Sequence, residues 1–493
     1  MKRAGRIVAL GMAGALGACA LGPNYKPPTP PAGATAPFVA ASPVATSTGT
    51  APDAWWQLYD DKTLDALIAQ AFAANTDLQT AEDNLAASRA IYEGARAQLL
   101  PQTTTGAGAV YGRDPTTDEI LELTGRKPQT TWLFDSVIDA SYELDLFGRV
   151  RRSVEAARDN TEAVIAARDE LRVTIAAETA RAYGAICTLG EQINVANEAL
   201  SLAQQQQNIV QSRYDAGAGS QYDVVRAQVV VANAQAGLPP LQGQREAALY
   251  ELTALLGETP QNAPVAVERC VTPPRLDAPM PVGDGAALLQ RRPDIREADR
   301  QMAAALANVG VATADLFPRV TLNGFYGGAS NQINMLGSNN GLMWGVGPAV
   351  SWSFPNMAGP LAQLAQAHAA AAGALSNFDS VVLQALKETD QALAIYGAEL
   401  NHHAALVAAQ AEAQQEYSLA QNEFSAGGIS TLDLLASEQT LTDANAAVAT
   451  SDAALVQDQI AVFKALGGGW QVLNTPATSS GEPGSKGPAI GGG

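Results

Sequence analysis

Two stretches of this chain, about Arg149 to Tyr214 and about Leu361 to Phe424, run without a proline and are rich in Ala, Gln and Glu. Such composition favours helix throughout. At 1.5 Å per residue, roughly 66 residues span roughly 100 Å. No globular core needs helices of that length. They suit coiled-coil packing. Ala stands where Leu is usual, which lets neighbouring helices approach closely, as in a curved wall built from many of them.

The two stretches belong to two copies of one plan. Asp77 to Pro101 lies over Asp294 to Pro318 without a gap, so that Leu78 meets Ile295, Ala81 meets Ala298, Ala86 meets Ala303 and Ala90 meets Ala307. At a slightly different offset, Tyr214-Asp215-Ala216-Gly217 matches Phe424-Ser425-Ala426-Gly427. The change of offset puts extra residues of the first copy in the loop-rich stretch between the matches. Each copy reads helix, strand, loop, strand, long helix, sharp turn, helix. The expected organisation is a first repeat over residues 61–270, with a hairpin at about 102–142 and long helices at about 149–256. A second covers 271–474, with a hairpin at about 319–354 and helices at about 361–466. The Gly- and Pro-rich residues 475–493 read as a disordered tail.

Each helix pair turns at a glycine cluster, Gly217-Ala218-Gly219-Ser220 and Gly427-Gly428-Ile429-Ser430. Gly supplies the left-handed conformation that closes a helix. Ser220 and Ser430 read as N-caps, with Asp223 and Asp433 as capping-box partners three residues on.

The strands carry a period of two. In Thr131 to Tyr142, the residues Trp132, Phe134, Ile138, Ala140 and Tyr142 share one face, and Thr131, Asp135, Asp139 and Ser141 the other. Leu342 to Phe354 alternates more sharply, with Leu342, Trp344, Val346, Val350, Trp352 and Phe354 opposite Gly345, Gly347, Ala349, Ser351 and Ser353. Gln102 to Arg113 and Arg319 to Ala329 are weaker strands. Ten to thirteen alternating residues with terminal aromatics fit a transmembrane β-strand whose aromatics face lipid, and equally a half-buried strand of a soluble sheet. Four strands cannot close a membrane barrel alone, so the transmembrane reading requires several chains to share one.

The N-terminus gives an address. Lys2, Arg3 and Arg6 precede the apolar run Ile7 to Leu16, then Leu16-Gly17-Ala18-Cys19. This reads as a secretory signal over residues 1–18. Small residues before a cysteine resemble a lipoprotein box, which implies cleavage before Cys19 and a diacylglycerol and N-acyl lipid on it. Ala20 is not the Asp that typically retains lipoproteins at the inner membrane. Residues 19–60, rich in Pro, Ala, Thr and Ser, read as an extended lipidated linker. No stretch is long and apolar enough for a transmembrane helix.

The formal charge of −19 argues against nucleic acid as a partner, since its recognition needs a basic face. No nucleophile elbow, Walker loop or zinc-spaced cluster is present, so no catalytic residue, cofactor or metal is expected and the chain is not read as an enzyme. His402-His403 are adjacent on a helix, point about 100° apart and rarely chelate together; they read as solvated or interface histidines. Cys187 and Cys270 read as buried free thiols, with a disulfide between them as the minor alternative.

Several landmarks resemble one family. Tyr142-Glu143-Leu144-Asp145-Leu146-Phe147-Gly148-Arg149 resembles the strand-to-helix junction of TolC-type outer-membrane efflux channels, in the lipoprotein branch typified by OprM and NodT. Arg291-Arg292-Pro293-Asp294-Ile295-Arg296-Glu297-Ala298, running on to Gly310-Val311-Ala312 and Leu316-Phe317-Pro318, is similar to that branch's second-copy opening, and Leu252 to Gly257 also fits. The resemblance implies an α+β membrane protein: a homotrimer giving four strands per chain to a twelve-stranded outer-membrane barrel, an equatorial region, and a long periplasmic α-helical barrel. It implies docking of the helix-turn tips with a periplasmic membrane-fusion adaptor and an inner-membrane pump of the resistance-nodulation-division type, for export of small toxic compounds. It places Leu432 and Asp433 at the periplasmic gate. A second acidic position of some members is Ala436 here, and the junction Pro355-Asn356-Met357-Ala358-Gly359-Pro360 lacks its usual acid.

Three Asp433 side chains around one axis would favour cations, bind multivalent blockers and raise one another's pKa. Two roles are thus open to Asp433, helix cap and charge ring. The alternatives to a drug duct are an exit duct of a type I protein secretion system and a non-pore structural coiled-coil lipoprotein.

Overall fold

The computed structural model describes residues 20–42, 45–113, 123–125, 127, 130–276, 278–339 and 341–471. The signal segment, Cys19 and residues 475–493 lie outside the described residues. The elements are β1 (Thr46–Ser47), α1 (Lys62–Ala74), α2 (Thr76–Ala97), β2 (Gln102–Gly112), β3 (Thr131–Leu144), α3 (Arg149–Asp215) and α4 (Gln221–Leu255). There follow β4 (Met280–Pro281), α5 (Gly285–Arg291), α6 (Pro293–Ala314), β5 (Arg319–Ser330), β6 (Leu342–Ser351), α7 (Ala358–Ser425) and α8 (Thr431–Ala465). Lengths match in pairs: α2 and α6 have 22 residues each, α3 and α7 have 67 and 68, and α4 and α8 have 35 each. The hairpin connection runs over 113–130 in the first half and the shorter 331–341 in the second.

Two boundaries differ from expectation. β6 ends at Ser351, so Trp352 and Phe354 lie beyond the strand, just before the cis bond to Pro355. Helix α7 starts at Ala358 and takes in Pro360, which the first turn tolerates because its N–H groups have no intrahelical acceptor. Helix α4 passes through Pro239 and Pro240, leaving the carbonyls of Gln235 and Ala236 without their usual donors.

The chain forms two compact units, and each takes segments from both halves of the sequence. The first holds Asp83–Ile165 and Arg296–Ser380 together with the described residues up to Thr29. Its centre is an antiparallel four-stranded sheet in the order β2-β3-β5-β6. The N-terminal segment, expected to be a linker, is tied to this unit at its start. The Leu21 N–H donates to the Phe147 carbonyl at 3.1 Å. The buried Arg152 guanidinium donates to the carbonyls of Leu21 and Gly22 and to Asn24 Oδ1. Gly148 (φ +83°) lets Ala20 come so close that a Cβ there would meet Ala20 Cα at 2.6 Å. Tyr25 donates to Asp299, with Arg300 over its ring.

The second unit holds Pro30–Glu82, Ala166–Ile295 and the residues from Val381 onward. Trp55, fully buried, stacks on Phe463 at 4.8 Å. Strand β1 pairs in parallel with β4. Arg291 donates to the carbonyls of Ala51 and Pro52, and Arg292 to the Ala465 carbonyl and the carboxylates of Asp294 and Glu388. The Arg291-Arg292 motif is therefore a staple. Cys187 and Cys270, expected as free thiols, form a disulfide. Their sequence separation of 83 hid the pairing; Gly190 allows it, since a Cβ there would overlap the Cys270 carbonyl.

Candidate channel wall and helical tips

The register of the sheet decides which side chains share a face. Tyr111 pairs with Trp132, Ile138 with Tyr326, Tyr326 with Trp344, Tyr142 with Leu322, and Val320 with Val350. Directly paired residues point to the same side. One face therefore carries an aromatic or aliphatic side chain on each of the four strands, with Thr103, Thr105 and Ser136 among them. Asp135, Asp139, Glu143 and Arg319, the charged residues of the strands, all fall on the other face, together with the glycines Gly106, Gly108, Gly345 and Gly347. Phe325 sits on this polar face against Gly345, where a Cβ would meet its ring at 2.7 Å. The apolar face is uncovered within the chain: Trp344 is 68% exposed and Val346 70%. Trp132 is also exposed, while Phe134, stacked on it, and Tyr142 are half-buried. Trp352 and Phe354 stack on each other past the strand end, and Trp352 Nε1 donates to the Leu316 carbonyl. Among the described residues, strands β2 and β6 each have one unpaired edge.

The strand-to-helix junction is a set of local hydrogen bonds. Asp145 accepts from the N–H groups of Val150 and Arg151 and caps α3. Glu143 takes both Arg149 Nε and Arg149 Nη2, at 2.8 and 2.6 Å. These roles have a signal in the sequence: a carboxylate shortly before a helix start with arginines in the first turn.

At the far ends of the long helices the two turns are built alike. Gly217 and Gly427 have φ of 76° and 80°. The N–H of Gly217 returns to the Tyr214 carbonyl and that of Ala218 to Arg213; Gly427 and Gly428 return to Phe424 and Glu423 in the same way. This is the Schellman pattern of a left-handed glycine closing a helix. Both expected capping boxes form, with Asp223 Oδ2 and Asp433 Oδ2 each accepting from the N–H and hydroxyl of Ser220 and Ser430. Asp433 is exposed and Asp223 half-buried. The serine hydroxyl and then its N–H hold each carboxyl below its ordinary pKa. Within one chain that direction is opposite to the crowding of a charge ring. Leu432 is exposed beside Asp433, and Ala436 is exposed one turn on. Gly219 closes against the Tyr214 backbone.

His403 Nε2 lies 3.1 Å from Asp452 Oδ1, which also takes Arg275; His402 is exposed. Among the described residues no group of three or more His, Cys, Asp or Glu is arranged for a metal ion, and no helix is long and apolar enough to cross a membrane. One residue escaped sequence reasoning. Glu438 is 2% exposed, and its signal was an acid one turn after the buried Leu434 and just before the buried Leu441.

Comparison with known proteins agrees with this architecture. The chain is 29% identical over 464 residues to the probable efflux pump outer membrane protein TtgC of Pseudomonas putida, covering 92% of this chain and 93% of that one. It is 25% identical over 457 residues to nodulation protein T of Rhizobium leguminosarum bv. viciae, covering 92% of each. The solved outer-membrane channel OprN superposes with a TM-score of 0.85 at 33% identity, over 92% of this chain and 100% of that one. The family model "Outer membrane efflux protein" matches residues 67–258 and 286–468, and the chain belongs to that family.

Proposed function

We propose that three copies of this chain form one outer-membrane duct that passively conducts small toxic compounds out of the cell. The observation that carries this reading is the four-stranded sheet, uncharged on one face and with all its charged residues on the other, with both outer edges open among the described residues. In lipid, every strand N–H and C=O needs a partner, so only a closed barrel is stable there. Three sheets joined edge to edge give twelve strands. Trp132, Phe134, Tyr142, Trp344, Trp352 and Phe354 then face lipid, and the acids face the lumen. The helices of 67 and 68 residues supply the periplasmic tunnel wall. The repeated element lengths support two structural repeats over 61–270 and 271–474.

The remaining assignments follow from this frame. Ala20 packs beside the foot of β3, so a lipid on Cys19 would enter the membrane next to the barrel. A disulfide accords with an oxidising compartment. Leu432 and Asp433 form the gate. The turns with Gly217, Gly219, Ser220, Asp223, Gly427, Gly428 and Ser430 meet a periplasmic adaptor, itself joined to an inner-membrane pump of the resistance-nodulation-division type. The efflux reading is shared with TtgC, whose name assigns it to an efflux pump.

Deletion of the gene followed by a panel of drug, solvent and metal susceptibilities tests the proposal. Increased sensitivity to several small toxic compounds, restored by the wild-type gene, is expected. Unchanged sensitivity throughout, with loss of a secreted protein instead, would make the chain a protein-secretion duct.

A further inference from the structure

Within the second unit, helices α3, α4 and α8 leave a cavity of about 320 Å³. Its origin is legible. Ala196, Ala199 and Ala203 stand on one face of α3, Ala446 faces them from α8, and on α4 the wall passes Gly237 just before Pro239-Pro240. Small side chains and a proline-interrupted helix leave the space unfilled. The lining is mostly apolar, with a few neutral polar groups, and Glu438 is the one titratable side chain among the described residues that line it.

Glu438 is 2% exposed, and its Oε2 has no hydrogen-bond partner. A carboxylate held in this way is costly unless a cation meets it. Among the described residues, no Lys, Arg or His lines the cavity. From α7, Tyr417 is the titratable group that feels the Glu438 charge, and it offers no positive charge. Burial pushes the Glu438 carboxyl up to about 7, so both forms are populated near neutral pH. A metal ion would need several oxygen ligands, and one carboxylate among alanines does not supply them.

We propose that this cavity binds a small lipophilic organic cation, whose ammonium group pairs with Glu438 and whose hydrocarbon body fills the space between α3, α4 and α8. The site lies between α3, α4 and α8 of one chain and does not include Leu432 or Asp433.

The test uses the full-length protein in detergent, with benzylammonium as probe and benzyl alcohol as its neutral counterpart, titrated by calorimetry. Benzylammonium is expected to bind the wild type at about pH 8 and to bind about tenfold or more weakly at about pH 5.5, where Glu438 is protonated. Glu438→Gln is expected to show the same loss at pH 8, while benzyl alcohol binds both proteins equally at both pH values. Equal benzylammonium affinity in wild type and Glu438→Gln, or no pH dependence in the wild type, overturns the proposal, as does absence of binding. The pH comparison needs no variant, and circular dichroism of Glu438→Gln checks its fold. Wild-type channel conductance reports on the duct reading separately from these outcomes.

Discussion

The two helical hairpins share one turn and differ in their return helices. At the tips, α3–α4 and α7–α8 make the same Schellman bonds and the same Ser–Asp capping box. Beyond the first turns they diverge. Helix α8 is buried along most of its length, with Leu434, Leu435, Leu441, Val456, Ile460, Val462 and Phe463 facing inward. Helix α4 is buried only at its two ends, up to Val231 and again from Ala248, with Pro239 and Pro240 in the uncovered middle. Identical local chemistry therefore fixes the turns, while the environment of each return helix is set by what packs on it. The first hairpin is secured at its base by the Cys187–Cys270 disulfide, the second by the apolar contacts of Phe463.

Five variants probe that contrast. Phe463→Ala removes the ring stacked on Trp55 and is expected to cost about 3–5 kcal/mol, read as a lower thermal midpoint of the helical circular dichroism signal. The double change Cys187→Ser, Cys270→Ser is expected to cost about 2–4 kcal/mol, and reduction of the wild type should reproduce it. If the double change costs nothing, the first hairpin is held otherwise. Replacing Pro239 and Pro240 by Ala restores two helical hydrogen bonds and should stabilise the protein by about 1–3 kcal/mol. A large loss would mean that the interrupted helix is itself packed against something essential. Gly217→Ala and Gly427→Ala should each cost about 1 kcal/mol and nearly the same amount, because both have positive φ and open space around the new methyl. Unequal costs would show that the turns are not equivalent.

What the sequence made legible follows the same division. The glycine turns and the boxes at Ser220 and Ser430 rest on residues three to six apart, so their chemistry can be read directly. The sheet faces follow from alternation, because a strand places every second residue on one side, and the register extends that face through Tyr111 and Tyr326. Long-range pairings were out of reach. Cys187 and Cys270 lie far apart in sequence, and nothing local announces their bond. The N-terminal residues read as a linker by composition, yet Arg152, Gly148 and Asp299 hold them. Proline misled at one helix boundary, since α7 begins before Pro360, and alternation overran one strand end, since β6 stops short of Trp352. The cavity beside Glu438 depends on three helices at once, and only the acid inside an apolar stripe hinted at it.

In the proposed assembly three such chains close one duct with Asp433 at its narrow end. Planar-bilayer recording of the purified full-length protein tests it most directly. Long-lived, cation-selective conductance that multivalent cations block from the helical side is expected, with loss of both selectivity and block in Asp433→Ala. A wild-type protein that inserts without conducting would contradict the duct, and a variant that keeps its selectivity and block would contradict the assignment of Asp433.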